Sequence, residues 1–486
     1  MSSTTPLHFD VLIVGAGLSG VGAAYHLQDQ CPSSTYAILE ARPQIGGTWD
    51  LFRYPGIRSD SDMYTLGYSF RPWQGAKAIA DGPAILQYIK ETAAEFGIDK
   101  KIRSGHKVLS AAWTSSSATW AVEVELATST EKIQMTCHFL LMCSGYYDYD
   151  KGYTPEYPGF EKFKGQFIHP QQWNKDIVYE NKKVLVIGSG ATAVTLVPEL
   201  AKKAEKVIML QRSPSYVASL PSVDHLAEFI KGNLPAKLAH RLIRWKNILL
   251  GMAFYNYCRK FPVSARKFIL ERVDRQLSKV PGKMKDFTPR YDPWDQRLCL
   301  IPDGDLFKAI RSGKADVVTD TIETFTADGV QLKSGQQLPA DLIISATGLK
   351  LKFLAGLKIT VDGELFNLTE RLPYKGAMIS GIPNFAMAFG YTNASWTLKC
   401  DLICEWIAKI LAAMKANGFR TVTPEKNPQV KRIPLIDFSS GYFQRDKDLI
   451  PFQGHRDPWK MHQNYFLDLL AFRFKPLADE DLKFSK

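Results

Sequence analysis

Two glycine-rich turns, each set between a β-prone run and a helical stretch, constrain the fold of this chain more than any other feature. The first follows Phe9 to Val14 as Gly15-Ala16-Gly17-Leu18-Ser19-Gly20, leads into a helical stretch to about Gln30, and returns as the run Tyr36 to Leu39. The second follows Lys183 to Ile187 as Gly188-Ser189-Gly190-Ala191-Thr192-Ala193, with a helix to about Lys203 and the run Lys206 to Leu210. A glycine pattern alone is a weak signal, but each here has its full strand-turn-helix-strand context. In the first unit Gly15 permits the tight turn, Gly17 lets backbone approach a pyrophosphate, and Gly20 lets the helix pack close on the strand. Two such βαβ units predict an α/β fold with two Rossmann-like dinucleotide-binding domains.

The ends of the second strands distinguish the two sites. Glu40 stands about 20 residues after the first turn, where a carboxylate binds ribose hydroxyls, so the first unit reads as a site for FAD or NAD. At the matching place the second unit carries Gln211-Arg212-Ser213, and Ala193 replaces its third glycine. A carboxylate there would repel a 2′-phosphate, whereas a guanidinium binds it bidentately, so this site reads as NADPH-preferring. The competing reading makes Arg212 a surface charge at a strand end. A hydride donor and acceptor in one chain imply transfer from NADPH to a bound flavin. A disulfide reductase would then need a C-x-x-C pair, and none is present. Cys400 and Cys404 are spaced as helical core residues, which leaves molecular oxygen as the common acceptor.

At 486 residues the chain exceeds one hydrophobic core. Residues 1–148 and 348–486 read as a discontinuous FAD domain, 149–215 and 290–347 as the NADPH domain, and 216–289 as a helical insert. Lys107 to Val124 reads as antiparallel strands, Phe139 to Cys143 as a buried strand, and about Lys399 to Asn417 as a helix. Seven cysteines without framework spacing suit reduced thiols in a cytoplasmic protein. The Ser/Thr-rich start lacks the basic n-region of a signal peptide, and no apolar window reaches the roughly 20 residues of a spanning helix. The net charge of +12 is spread without the arginine-rich tracts of a nucleic-acid binder. Its densest part, Leu226 to Arg272, mixes Arg241, Arg244, Lys246, Arg259, Lys260 and Arg266 with apolar residues. That stretch reads as a solvated helical face, with weak peripheral membrane association as the alternative. No histidine or cysteine spacing supports a metal site.

Ahead of the second unit, Phe163-Lys164-Gly165-Gln166-Phe167-Ile168-His169-Pro170-Gln171-Gln172-Trp173-Asn174 resembles the signature of type I Baeyer-Villiger monooxygenases, departing only at Asn174. Gly46-Gly47-Thr48-Trp49, Tyr54-Pro55-Gly56-Ile57-Arg58-Ser59-Asp60 and Ala346-Thr347-Gly348 extend the resemblance over nearly the whole chain. Thr48 to Pro55, Pro293 to Cys299 and Gly390 to Lys399 are similar to the ethionamide-activating group of that family.

The resemblance implies a flavin C4a-peroxide chemistry that inserts one oxygen atom into ketones or oxidises sulfides and thioamides. It assigns Gly15, Gly17, Gly20, Glu40, Gly47, Thr48, Trp49, Asp60, Tyr64 and Val108 to FAD. Gly188, Ser189, Gly190, Thr192, Arg212, Ser213 and Trp173 fall to NADP. Arg297 is implied as the cation that stabilises the anionic oxidant, with Asp60 as its partner. Gln296 stands where many relatives have a lysine, which shifts the phosphate load to Arg212. His169 admits a general-base reading, while the family places it in a linker that couples the nucleotide domains. Flavin-containing or N-hydroxylating monooxygenases share both turns, and an NADPH oxidase-type flavoprotein is the other alternative.

Overall fold

In the computed structural model, residues 6–435, 445 and 451–486 are described, and the Ser/Thr-rich start at residues 1–5 lies outside them. Leu7–Val14 forms a strand flanked on both sides by parallel neighbours, Tyr36–Glu40 and Lys132–Met142. A strand covered on both faces needs apolar residues at successive positions, and Val11 to Val14 and all of Tyr36–Glu40 are buried. Beyond Lys132–Met142 the sheet turns antiparallel, first through Thr119–Leu126, whose alternating burial matches its alternating sequence, and then through His106–Thr114. The helix Leu18–Gln30 packs on this sheet beside Trp396–Asn417, which begins three residues before the expected start at Lys399. Ile403, Ile407 and Val21 are at most 1 % exposed there. Each such side chain contributes roughly 1.5–3 kcal/mol by burial.

A second, wholly parallel sheet has the order Ala315–Thr319, Lys206–Gln211, Lys183–Ile187, Leu342–Ser345, Gln166–Ile168. Its glycine turn leads into the helix Ala191–Leu200, shorter than the stretch to Lys203 that periodicity suggests. The fold is therefore α/β with two Rossmann-like units and a helical insert.

The insert is three helices, His225–Asn233, Ala236–Lys260 and Pro262–Leu277. The breaks fall at Pro235 and Pro262, where the ring fixes φ and removes the N–H that would continue the preceding helix. Among the described residues no helix is long and apolar enough to cross a membrane.

Candidate functional site

The first glycine turn is fixed by backbone crowding. Gly15 has φ +104°, and a Cβ on it would lie 2.7 Å from the Cys143 carbonyl oxygen. A Cβ on Gly20 would lie 1.9 Å from the Gly15 carbonyl oxygen, so Gly20 serves helix packing and does not line the cavity. Gly17 caps the helix in extended conformation, and its Cβ would stand 3.5 Å from Gly47 Cα. The pair thus forms a backbone floor that side chains would fill. Glu40, 5 % exposed, accepts from the Ala16 N–H at 2.8 Å and the Arg42 N–H at 2.9 Å. Burial raises its pKa, opposed by those two donors. The carboxylate is therefore locked at the edge of the cavity by the turn it serves.

The second turn repeats the geometry with different chemistry. Gly188 has φ +136°, and a Cβ there would meet the Ala346 carbonyl oxygen at 2.3 Å. Gly190 caps the helix Ala191–Leu200 with φ −83°, and a Cβ on it would meet nothing within 4 Å. The space in front of that helix N-terminus is open to an anion. Gln211, at the strand end equivalent to Glu40, is turned inward and donates to the Asp286 carbonyl at 2.6 Å and to Thr319 Oγ1 at 2.8 Å. Arg212, the next residue, is exposed and faces the cavity with Ser213. Ser189 Oγ is held by Ser215 Oγ at 2.9 Å.

Both turns open into one cavity of about 1090 Å³. Its lining includes Thr48, Trp49 and Val108 on one side, Ser189 and Thr192 on the other, and Asp60 with Arg297. Asp60 Oδ2 lies 2.5 Å from Arg297 Nη2. The guanidinium bears on Tyr147, whose pKa burial raises while Arg297 opposes the rise. Cys299, two residues on, also lines the cavity, and burial pushes its thiol up to about 12. Gln296 lines the cavity beside Arg297. The neighbouring Arg58 is occupied elsewhere, with Nη1 2.5 Å from Asp305 Oδ2.

Besides Gly20, two expected cofactor residues, Tyr64 and Trp173, are not brought to the cavity. Tyr64 is fully buried among Ala78, Ala227 and Ile243, and its hydroxyl donates to Glu228 Oε1 at 3.3 Å. It sits on the short helix Met63–Leu66, where residues two apart face different ways, and Leu66 takes the cavity side. Trp173 follows the turn Pro170–Gln172 and packs on Tyr179 at a ring separation of 6.1 Å, outside the cavity lining. His169 is also outside the lining. It is 7 % exposed, its Nδ1 accepts from the Gln171 N–H at 3.2 Å, and its Nε2–H donates to the Gly348 carbonyl at 3.1 Å. Burial lowers its pKa. A neutral ring tied to the chain just past Leu342–Ser345 suits the linker role rather than proton transfer. Cys400 and Cys404 are buried in the core, where Ser19 Oγ donates to Cys400 Sγ at 3.4 Å.

Other cavity residues escape the sequence reading. Trp396 stacks on Tyr146 at 5.2 Å and donates its indole N–H to Ser19 Oγ at 2.9 Å. Tyr391 donates to Asp468 Oδ2 at 2.5 Å, and Lys399, fully buried, lies 3.1 Å from the same oxygen. The segment Gly390 to Lys399 is the one sequence signal that points to them.

Residues 79–227 match the flavin-binding monooxygenase-like family, and residues 13–80 match an NAD(P)-binding Rossmann-like domain. The FAD-containing monooxygenase EthA of Mycolicibacterium smegmatis is 54% identical over 481 residues, covering 99% of this chain and 97% of that protein. The probable FAD-binding monooxygenase AlmA of Acinetobacter baylyi is 47% identical over 484 residues, covering 99% and 96%. Among solved structures, an oxidised steroid monooxygenase bound to NADP shares the fold with a TM-score of 0.72 at 24% identity, over 87% of this chain and 88% of that one. OTEMO in complex with FAD and NADP gives 0.74 at 19% identity, over 98% and 99%.

Proposed function

This chain belongs to the FAD-containing monooxygenase family of EthA, within the type I Baeyer-Villiger group whose signature it carries, and we propose from that premise how its residues divide the work. FAD lies along the first turn and NADPH along the second. The substrate is a small ketone, or a sulfide or thioamide oxidised at sulfur. When bound, FAD supplies hydride acceptance from NADPH and the activation of molecular oxygen. The rest falls to the protein. The Gly17 and Gly47 backbone admits the first pyrophosphate, and Glu40 meets its ribose. Arg212 reads the 2′-phosphate of the second nucleotide, while Gly190 leaves room for its pyrophosphate. Arg297, aimed by Asp60, balances the negative charge that develops on oxygen during attack at a carbonyl carbon. Tyr146, Tyr391 and Trp396 provide apolar wall that keeps water from the reacting centre. The seven buried free thiols suit a reducing, cytoplasmic setting.

The observation that carries this reading is the single cavity shared by two glycine turns with the Arg297–Asp60 pair in its lining. Incubation with NADPH and either phenylacetone or an aryl methyl sulfide, followed by mass spectrometry, tests it. The expected result is a product heavier by one oxygen from at least one of them. Steady hydrogen peroxide release with no oxygenated product from either would make the protein an NADPH oxidase instead.

A further inference from the structure

The insert helices leave an apolar surface uncovered. On Ala236–Lys260 the residues Ala239, Ile243 and Ile248 face the protein and are buried. Ile248 packs beside Tyr391, a wall residue of the cavity. Leu238, Leu242 and Leu249 fall on the opposite side, because at about 100° per residue those three spacings return to one stripe. Leu249 is 57 % exposed, the adjacent Leu250 61 %, and Phe229 on the preceding helix 66 %. Single exposed hydrophobic residues are ordinary, but a stripe of leucines with aromatic neighbours on adjoining helices marks an interaction surface.

The charge around it narrows the partner. Residues 225–277 hold eleven lysines and arginines against three acidic residues, a net charge of +8 where the whole chain has +12. Arg244 is turned wholly inward, donating to the Tyr64 and Gly67 carbonyls at 2.8 Å, and Lys231, Lys246 and Arg259 are paired with Glu228, Asp224 and Asp295. Lys260 sits over the exposed Phe261 ring at 5.6 Å, and Arg272 over Phe268 at 4.5 Å. An apolar ring with a cation beside it suits a boundary where the ring enters acyl chains and the cation meets phosphate. A second copy of this chain would oppose like charge with like charge, and a nucleic acid would leave the leucine stripe in water.

We propose that the insert docks on an anionic phospholipid bilayer, lying in the interface with Leu238, Leu242, Leu249 and Phe229 inserted at the headgroup boundary and Lys237, Arg241, Lys260 and Arg272 on the lipid phosphates. This surface is separate from the cofactor turns, and its docking is independent of the oxygenation chemistry.

Flotation of the full-length protein tests it, using vesicles of phosphatidylcholine alone or with about one third phosphatidylglycerol. The protein floats with the anionic vesicles and not with the neutral ones, and about 0.5 M NaCl lowers the bound fraction severalfold. Leu242→Ser with Leu249→Ser, and separately Lys237→Glu with Arg241→Glu, each reduce binding about tenfold or more. Both variants keep wild-type NADPH consumption without vesicles, which shows that they fold. Failure of the wild type to float at low salt overturns the proposal, as does equal binding by either variant. A concentration-dependent dimer that Leu242→Ser with Leu249→Ser abolishes, without vesicle binding by the wild type, would assign the surface to a second copy and overturn it as well.

Discussion

Asp60 Oδ2 holds the Arg297 guanidinium at 2.5 Å in the lining of the cavity that both glycine turns share. The two side chains are 27 % and 35 % exposed, so the ion pair adds at most about 1 kcal/mol to stability. Its value lies in where it puts a fixed positive charge. Arg297→Ala is expected to leave flavin reduction by NADPH within about twofold, while product formation falls by roughly 10²–10³, the cost of losing one preorganised charge stabiliser. Asp60→Asn loses less, since the cation remains but is no longer aimed. Stopped-flow reduction measured beside product yield separates the steps. An equal loss in both for Arg297→Ala would remove it from the oxygenation step.

Glycines at the two turns fail differently when enlarged. Gly190 has an ordinary backbone conformation and open space where its Cβ would be, so Gly190→Ala folds with an unchanged melting temperature. The methyl group instead occupies the approach of the pyrophosphate, and the KM for NADPH rises. Gly20→Ala puts a methyl 1.9 Å from a carbonyl oxygen and is expected to lower stability by several kcal/mol or abolish soluble expression. Thermal melts of the pair, with NADPH titration of Gly190→Ala, check both.

The second strand end has Gln211 in place of the carboxylate Glu40, and the exposed Arg212 beside it faces the cavity. Arg212→Gln removes a charge-assisted contact of about 1.5–3 kcal/mol, which raises the KM for NADPH roughly 10- to 100-fold and leaves NADH nearly unaffected. Steady-state kinetics with both nucleotides decides it. Equal changes for NADPH and NADH would mean that Arg212 does not read the 2′-phosphate.

His240 supplies a pH test. Burial, and then Arg244 and Lys231, push its pKa down to about 4, and its buried Nε2 has no hydrogen-bond partner among the described residues. The unfolded chain therefore binds a proton at this residue that the folded chain does not, between the ordinary histidine value near 6.5 and about 4. Its contribution is intact above that window, and stability is lost as pH falls through it. His169, also lowered by burial, acts in the same direction. His240→Leu is expected to raise the melting temperature and to flatten its decline between pH 7 and pH 5. An unchanged slope in differential scanning calorimetry would exclude His240 as a contributor.

The strand-turn-helix units, the antiparallel stretch and the helical character of the insert are legible because periodicity and glycine spacing are local. The three-helix division of the insert is signalled by Pro235 and Pro262, which a reading of its periodicity as one stretch passes over. The direction of Tyr64 is not legible in this way. Its segment lies beside the cavity, but which of two helical neighbours faces inward depends on the insert packed against them.

By itself the sequence determined the two nucleotide turns and their difference in charge. Gly15 and Gly188 must adopt positive φ, and that need is set by the tight turn within a few residues of chain. The family resemblance paired Asp60 with Arg297 and put Arg212 at the second nucleotide, whereas tertiary structure alone decided that Gln211 turns inward and that Tyr64 and Trp173 point away from the cavity. The direction of such side chains is set by packing between elements far apart in the chain, which no local pattern records.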